Sequence, residues 1–174
     1  MIYVIRHGQT ELNKERRLQG RHGLPLNEVG VHQAERVKEK LHDVEFDLVY
    51  SSPQERAVQT AEIVAGKKAT LDDRLNVFDL GATDSLVVSE VKRVNGIPDP
   101  SIYNGVEDPR LFMKRVFHFM SELETNFTDK QILIAGHRCT TGGIGAYFKG
   151  IPEDENILQY SSDNGDYRVY EFKI

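Results

Sequence analysis

Three short, mostly apolar runs, Ile2–Ile5, Phe46–Tyr50 and Ile132–Ala135, alternate along this chain with stretches of helical periodicity. Runs of four or five residues are short for buried helices and have the length of strands covered on both faces. After the first run, Val31, Ala34, Val37 and Leu41 repeat as one apolar stripe of a helix. Phe112, Val116, Phe119, Met120 and Leu123 do the same before the third run. Strand and helix in alternation build a mostly parallel sheet with helices against it. The expectation is an α/β fold, a three-layer α/β/α sandwich with helices on both faces of the central sheet.

Local signals place the elements. One helix is expected over 28–41 and another from Asp108-Pro109 to about Asn126. Ser52-Pro53-Gln54-Glu55 has serine where an N-cap belongs, proline at the first helical position and glutamate three residues after the cap, so a helix is expected to run from there to about Val64, with Gly66 ending it. A helix over 141–149 follows the third run. Extended segments are expected over 75–80, 157–160 and 168–172, the last two around the turn Asp163-Asn164-Gly165-Asp166. Residues 85–107 contain Gly96, Pro98, Pro100 and Gly105 and read as an irregular, lid-like excursion. At 174 residues the chain has the length of a single domain, 1–174.

Bulk properties narrow the partners. The net charge of −5 argues against nucleic acid, whose binding depends on basic surface. No apolar stretch approaches the roughly 20 residues of a membrane helix. The lone cysteine, Cys139, allows no intrachain disulfide, which agrees with a reducing compartment. A cytoplasmic location is expected. No spacing of His22, His32, His42 or His118 matches a zinc pattern, so no metal and no cofactor is expected.

Chemistry-bearing residues follow all three runs: Arg6-His7-Gly8 the first, Ser51-Ser52 the second and Gly136-His137 the third. In open α/β sheets ligands bind beyond the carboxyl ends of the strands. Parallel strands would bring His7, Arg56 and His137 together there. Arg6 and Arg56 each supply a planar fork of donors suited to a phosphoryl group. A neutral His7 can attack phosphorus and form a phosphohistidine, which water then hydrolyses. Arg16, Arg17 and Arg21 add a local basic cluster in an otherwise acidic chain.

The pattern Arg6-His7-Gly8-x-Thr10-x-x-Asn13 near the N-terminus resembles the histidine phosphatase superfamily, which includes cofactor-dependent phosphoglycerate mutases. Ser51-Ser52-Pro53-x-x-Arg56-Ala57-x-x-Thr60-Ala61 is similar to its second signature, and Gly136-His137 to the segment of its second catalytic histidine. The resemblance covers almost the whole chain. It implies that His7 is the phosphorylated nucleophile, that Arg6, Arg56 and His137 serve the same site, and that Asn13, Gln19 and Gly20 contact the phosphate. One position departs from the pattern. The family's proton donor is usually a glutamate in Leu-x-Glu, and the matching segment here is Leu75-Asn76-Val77. Asp79 is the nearest carboxyl group and is the expected general acid, with Asp84 and Glu107 in reserve.

Arg138 follows the second histidine, where the family often has small residues, and is expected at the substrate mouth. Cys139 beside a helix start is either a reactive thiol of lowered pKa or a buried packing residue. The leading reading is a metal-independent phosphatase acting on a small phosphorylated metabolite. A phosphoglycerate mutase would use the same site but usually has a longer chain that closes over it. A non-catalytic phosphate- or partner-binding module is the reading outside enzymes.

Overall fold

The computed structural model describes residues 1–173. The main sheet has five strands: β1 (Ile2–Arg6), β2 (Leu48–Ser51), β3 (Thr70–Leu71), β6 (Ile132–Gly136) and β7 (Tyr167–Tyr170), in the order β3-β2-β6-β1-β7. β1 and β2 both pair in parallel with β6, β2 pairs in parallel with β3, and only the edge strand β7 runs antiparallel, beside β1. Helices α2 (Glu28–Lys40), α3 (Glu55–Ala65), α4 (Pro109–Asn126) and α5 (Arg138–Lys149) cover it, and a single turn α1 (Glu11–Lys14) follows β1. This is the expected three-layer arrangement.

Strand alternation sorts the core into two clusters. Ile2, Val4, Ile132 and Ile134 pack with Phe112, Val116 and Ile144 of α4 and α5. Ile5, Leu133 and Ala135 pack on the other face with Ala34, Val37, Ala61 and Val64 of α2 and α3. All five residues of β6 are buried, as a central parallel strand requires. Among the described residues no helix is long and apolar enough to cross a membrane.

Several boundaries differ from the sequence reading. The helix after Ser52 begins at Glu55, its cap is Gln54, and Gln54 makes no side-chain capping bond. The Ser52 hydroxyl does accept the Gln54 N–H at 3.3 Å, but its shorter partner is His137. The segment 75–80 is not a strand: a 3₁₀ turn occupies Asp73–Leu75, and Leu80 forms an isolated bridge with Val106. Ile157–Tyr160 is a 3₁₀ turn rather than a strand. Helix α5 starts at Arg138, three residues before the expected Thr141.

Residues 85–107 are more regular than expected. β4 (Arg93–Val94) and β5 (Ile97–Pro98) form a small antiparallel hairpin. Its two-residue link is Asn95-Gly96, at φ +50° and +82°, the left-handed pair that a tight hairpin turn favours. The start of the segment is fastened to 16–18, with Leu18 N–H on Leu86 O at 2.8 Å and Ser85 N–H on Leu18 O at 2.8 Å. Its end is fastened to 79–82 through Glu107 N–H on Asp79 O at 2.9 Å and Ala82 N–H on Asn104 O at 2.9 Å.

Candidate active site

Parallel pairing sets the three chemistry-bearing chain ends side by side. Arg6 stands opposite Gly136, and Ser51 opposite Ala135. The bonding continues one residue further: His7 N–H donates to Gly136 O at 2.9 Å, and Ser52 N–H to Ala135 O at 3.0 Å. The rings of His7 and His137 meet edge to face, 5.2 Å between centroids and 61° between planes. Both are buried, at 4% and 2% exposure, and Arg56 beside them is buried at 1%.

The hydrogen bonds define what each histidine offers. His7 Nδ1 lies 2.7 Å from the Gly8 carbonyl. A carbonyl only accepts, so Nδ1 carries the proton and Nε2 keeps its lone pair. Burial, followed by the charges of Arg56 and Arg6, lowers the His7 pKa to about 3. His137 is held well below the usual histidine value, first by burial and then by Arg56, His7 and Arg6. Both imidazoles are therefore neutral at neutral pH. His137 bonds Ser52 Oγ through Nε2 at 2.7 Å, while its Nδ1 is buried without a partner among the described residues.

The arginines approach from different elements. Arg56, in the first turn of α3, donates through Nη2 to the Gly20 carbonyl at 2.9 Å, and its Nε is buried without a partner among the described residues. A side chain at Gly23 would collide with its guanidinium, so glycine there lets the loop close on Arg56. Arg6 donates through Nη1 to the Ser162 carbonyl at 3.1 Å, and its Nε is likewise buried and unpartnered among the described residues. Burial is the main reason both pKa values fall to about 10, which still leaves both charged at neutral pH. Two guanidinium groups with buried, unpartnered Nε donors suit an anion.

The other expected contact residues come from α1, from the loop that follows it and from the start of α5. Asn13 Oδ1 accepts the Thr10 N–H at 3.0 Å and closes a capping box on α1. Asn164 Nδ2 donates to the His7 carbonyl at 3.1 Å and reaches Asn13 Oδ1 at 3.4 Å. Gln19 Oε1 accepts from Thr10 Oγ1 at 2.9 Å and from Leu24 N–H at 3.1 Å, and its Nε2 is buried and unpartnered among the described residues. Arg138 is exposed and shares a cavity of about 450 Å³ with Arg6, Ser161, Ser162, Asp163 and Arg168.

The three carboxylates near the missing glutamate differ in what they hold. Val77 is buried at 4% exposure. Glu107 places both oxygens on Arg115, at 2.9 and 3.0 Å, and also accepts the Asp79 N–H at 3.0 Å. Asp84 accepts the N–H groups of Gly20 and His22, one on each oxygen, at 2.8 and 2.9 Å. Asp79 accepts the Gly81 N–H on Oδ1 at 2.9 Å, and its Oδ2 lies 3.8 Å from Arg21 Nε.

Sequence reasoning does not foresee the supporting roles of four residues: Thr60, Asn164, Gly165 and Ser52. Thr60 Oγ1 accepts the Gly8 N–H at 3.1 Å and donates to the Arg56 carbonyl at 2.8 Å, tying the histidine loop to α3. Asn164 and Gly165 brace the backbone of Arg6 and His7, with Gly165 N–H 3.1 Å from both carbonyls. By sequence that turn is only a hairpin connection. Ser52 reads by sequence as a helix cap, although its place beside Arg56 in the second signature is a signal for the site. Cys139 is not a thiol of lowered pKa: burial pushes it up, and Sγ accepts the Phe78 N–H at 3.4 Å. His22, His32, His42 and His118 are all exposed, and none belongs to a metal-like grouping of the described residues.

Known proteins resemble this chain in sequence and in fold. The probable phosphoglycerate mutase GpmB of Salmonella arizonae is 31% identical over 163 residues, covering 87% of this chain and 75% of that protein. A phosphoserine phosphatase from Entamoeba histolytica, solved as a mutant with phosphoserine, superposes with a TM-score of 0.81 at 22% identity, over 95% of this chain and 87% of that one. A phosphoglycerate mutase from Thermus thermophilus gives 0.74 at 24% identity, over 95% and 90%. At those identities the two solved structures show the fold. Residues 2–173 match the histidine phosphatase superfamily, branch 1, and the chain belongs to that superfamily.

Proposed function

We propose that this protein is a phosphatase that hydrolyses a phosphate monoester through a phosphohistidine on His7. The observation that carries the reading is the Nδ1–H of His7 held on the Gly8 carbonyl, which leaves Nε2 as a lone-pair nucleophile on a ring that feels the charges of Arg56 and Arg6. In the first step Nε2 bonds to phosphorus as the ester P–O bond breaks, and the leaving oxygen takes a proton from Asp79. In the second step water attacks phosphorus, the P–N bond breaks and Asp79 recovers a proton from that water. Arg6, Arg56 and the His137 ring stabilise the charge on the equatorial oxygens. Asn13, Gln19 and Gly20 line the phosphate, with Arg138 at the mouth. The reaction is read as metal-independent because the arginines supply the positive charge. Among the described residues no group of three His, Cys, Asp or Glu side chains is placed to hold a metal ion.

Asp79 is preferred as the acid because its Oδ2 alone, among the six oxygens of Asp79, Asp84 and Glu107, accepts no hydrogen bond from the described residues. The Entamoeba phosphoserine phosphatase has been solved with phosphoserine and with 3-phosphoglyceric acid, which supports a small phosphorylated metabolite as substrate. Mutase activity is the second reading, favoured by the GpmB relatives.

Incubation with an aryl phosphate in EDTA tests the proposal. Phosphate release is expected, together with acid-labile phosphate on the quenched wild-type protein and none on His7→Ala. Turnover that His7→Ala retains would refute it. Return of the phosphoryl group to a phosphoglycerate in preference to water would favour the mutase.

A further inference from the structure

We infer that Ser52 is a positioning residue that fixes the tautomer of His137 and so aims an N–H at the phosphoryl group. The inference rests on the proposed reading of the site as a phosphoryl pocket.

Ser52 is fully buried, and its hydroxyl has one proton and two neighbours. The Gln54 N–H donates to Oγ at 3.3 Å, so that neighbour cannot receive the hydroxyl proton. The other neighbour is His137 Nε2 at 2.7 Å, the sole acceptor for the Ser52 hydroxyl among the described residues. If Ser52 donates, Nε2 is the lone-pair nitrogen and a neutral ring must carry its proton on Nδ1. Nδ1 is the buried nitrogen without a partner among the described residues, on a ring packed against His7.

The opposite tautomer is worse on two counts. A proton on Nε2 would leave the Ser52 hydroxyl proton without an acceptor among the described residues. It would also turn the Nδ1 lone pair toward an anion. Each buried polar group left unpaired is costly, and a lone pair facing phosphate oxygens adds repulsion. The two histidines thereby acquire complementary faces from local partners. Gly8 makes His7 present a lone pair, and Ser52 makes His137 present a donor. The pair can then receive a phosphoryl group while both rings are uncharged.

The test uses protein labelled with ¹⁵N at histidine, with long-range ¹H–¹⁵N correlation to read each ring nitrogen, and inorganic vanadate as the ligand probe. Wild type is expected to show His137 protonated at Nδ1 and unprotonated at Nε2. Ser52→Ala is expected to lose that single tautomer and to bind vanadate about tenfold to hundredfold more weakly, the size of one lost donor in such a pocket. Ser52→Thr retains the hydroxyl and should restore the tautomer and most of the affinity. Wild-type His137 protonated at Nε2 would overturn the inference, as would Ser52→Ala with unchanged tautomer and vanadate affinity. If Ser52→Ala does not fold, the wild-type spectrum decides alone. A wild-type protein with the inferred tautomer and no phosphatase activity would sink the phosphatase reading and leave the hold of Ser52 on His137 established.

Discussion

Asp84 holds Gly20 across 64 positions of chain, its Oδ1 accepting the Gly20 N–H at 2.8 Å. The carbonyl of the same glycine accepts Arg56 Nη2 at 2.9 Å. One peptide segment thus links a carboxylate to the buried guanidinium, and the second Asp84 oxygen fixes His22 two residues on. Asp84→Ala removes both acceptors and leaves the 19–23 loop without its anchor. The expected outcome is a loss of about 1–3 kcal/mol in stability and at least a roughly tenfold rise in KM for an aryl phosphate. Asp84→Asn, which keeps one acceptor oxygen, should fall between. Equilibrium unfolding and steady-state kinetics on the three proteins check this. An unchanged KM in Asp84→Ala would mean that the loop is held by other contacts.

The start of α2 packs backbone to backbone against the loop after β1. A Cβ at Gly8 would lie 2.5 Å from the Gly30 carbonyl oxygen, and one at Gly30 would collide with the Gln9 carbonyl. Backbone atoms cannot swing aside as side-chain ends do. Alanine normally stabilises a helix interior over glycine by about 0.8–1 kcal/mol. Gly30→Ala should do the reverse and destabilise by about 1–3 kcal/mol through overpacking. The midpoint of urea unfolding is the measurement, and a stabilised Gly30→Ala would refute the close approach.

These contacts show where the sequence was and was not informative. β6 was legible because all five of its residues are apolar or small and buried, and β1 and α4 because their apolar residues keep the spacing of a short strand and of one helix face. His7, Arg56 and His137 were legible because strand ends and two motifs point at them. Ser52 was half legible: it looks like a helix cap, but a partner 85 positions away claims the hydroxyl. The run Ile157–Tyr160 has strand-like composition, yet it curls as a 3₁₀ turn against α5. Gly142 permits that, since a Cβ there would lie 2.6 Å from the Ile157 carbonyl. The cause is a tertiary contact that no local pattern encodes. The Asn95-Gly96 hairpin signal is local, but the glycines and prolines around it give the whole segment the look of an irregular loop.

The buried neutral histidines should make stability fall in acid. In the unfolded chain each titrates near pH 6.5, whereas the folded His7 value is about 3 and that of His137 is also well below normal. Between those values the unfolded state binds more protons, so acid favours unfolding. The His7 contribution is fully present above about pH 6.5 and is lost as pH falls toward 3. Each histidine adds a slope of up to about 1.4 kcal/mol per pH unit in that window. Unfolding free energies at several pH values, from about 4.5 to about 7.5, should show a shallower slope for His7→Asn than for wild type. Parallel slopes would show that His7 is not held neutral by the fold.

Leaving-group chemistry separates the carboxylate at Asp79 from the missing one at position 77. Val77 is fixed in place because Arg115 donates to the carbonyls of Arg74, Asn76 and Val77, at 2.9, 2.7 and 3.2 Å, while pairing with Glu107. That clamp also sets the backbone that leads into Asp79. If Asp79 protonates the leaving oxygen, its value depends on how poor the leaving group is. An alkyl oxygen needs the proton early, and an activated aryl oxygen hardly needs it. Asp79→Asn should therefore lower kcat/KM for an alkyl phosphate by about 10²–10⁴-fold and for an activated aryl phosphate by roughly tenfold or less. Equal losses on both substrates would assign Asp79 to holding Gly81 and Arg21, with no part in proton transfer. Val77→Glu then provides the converse: a carboxylate on the clamped segment should recover alkyl phosphate turnover in the Asp79→Asn background if that segment faces the leaving group.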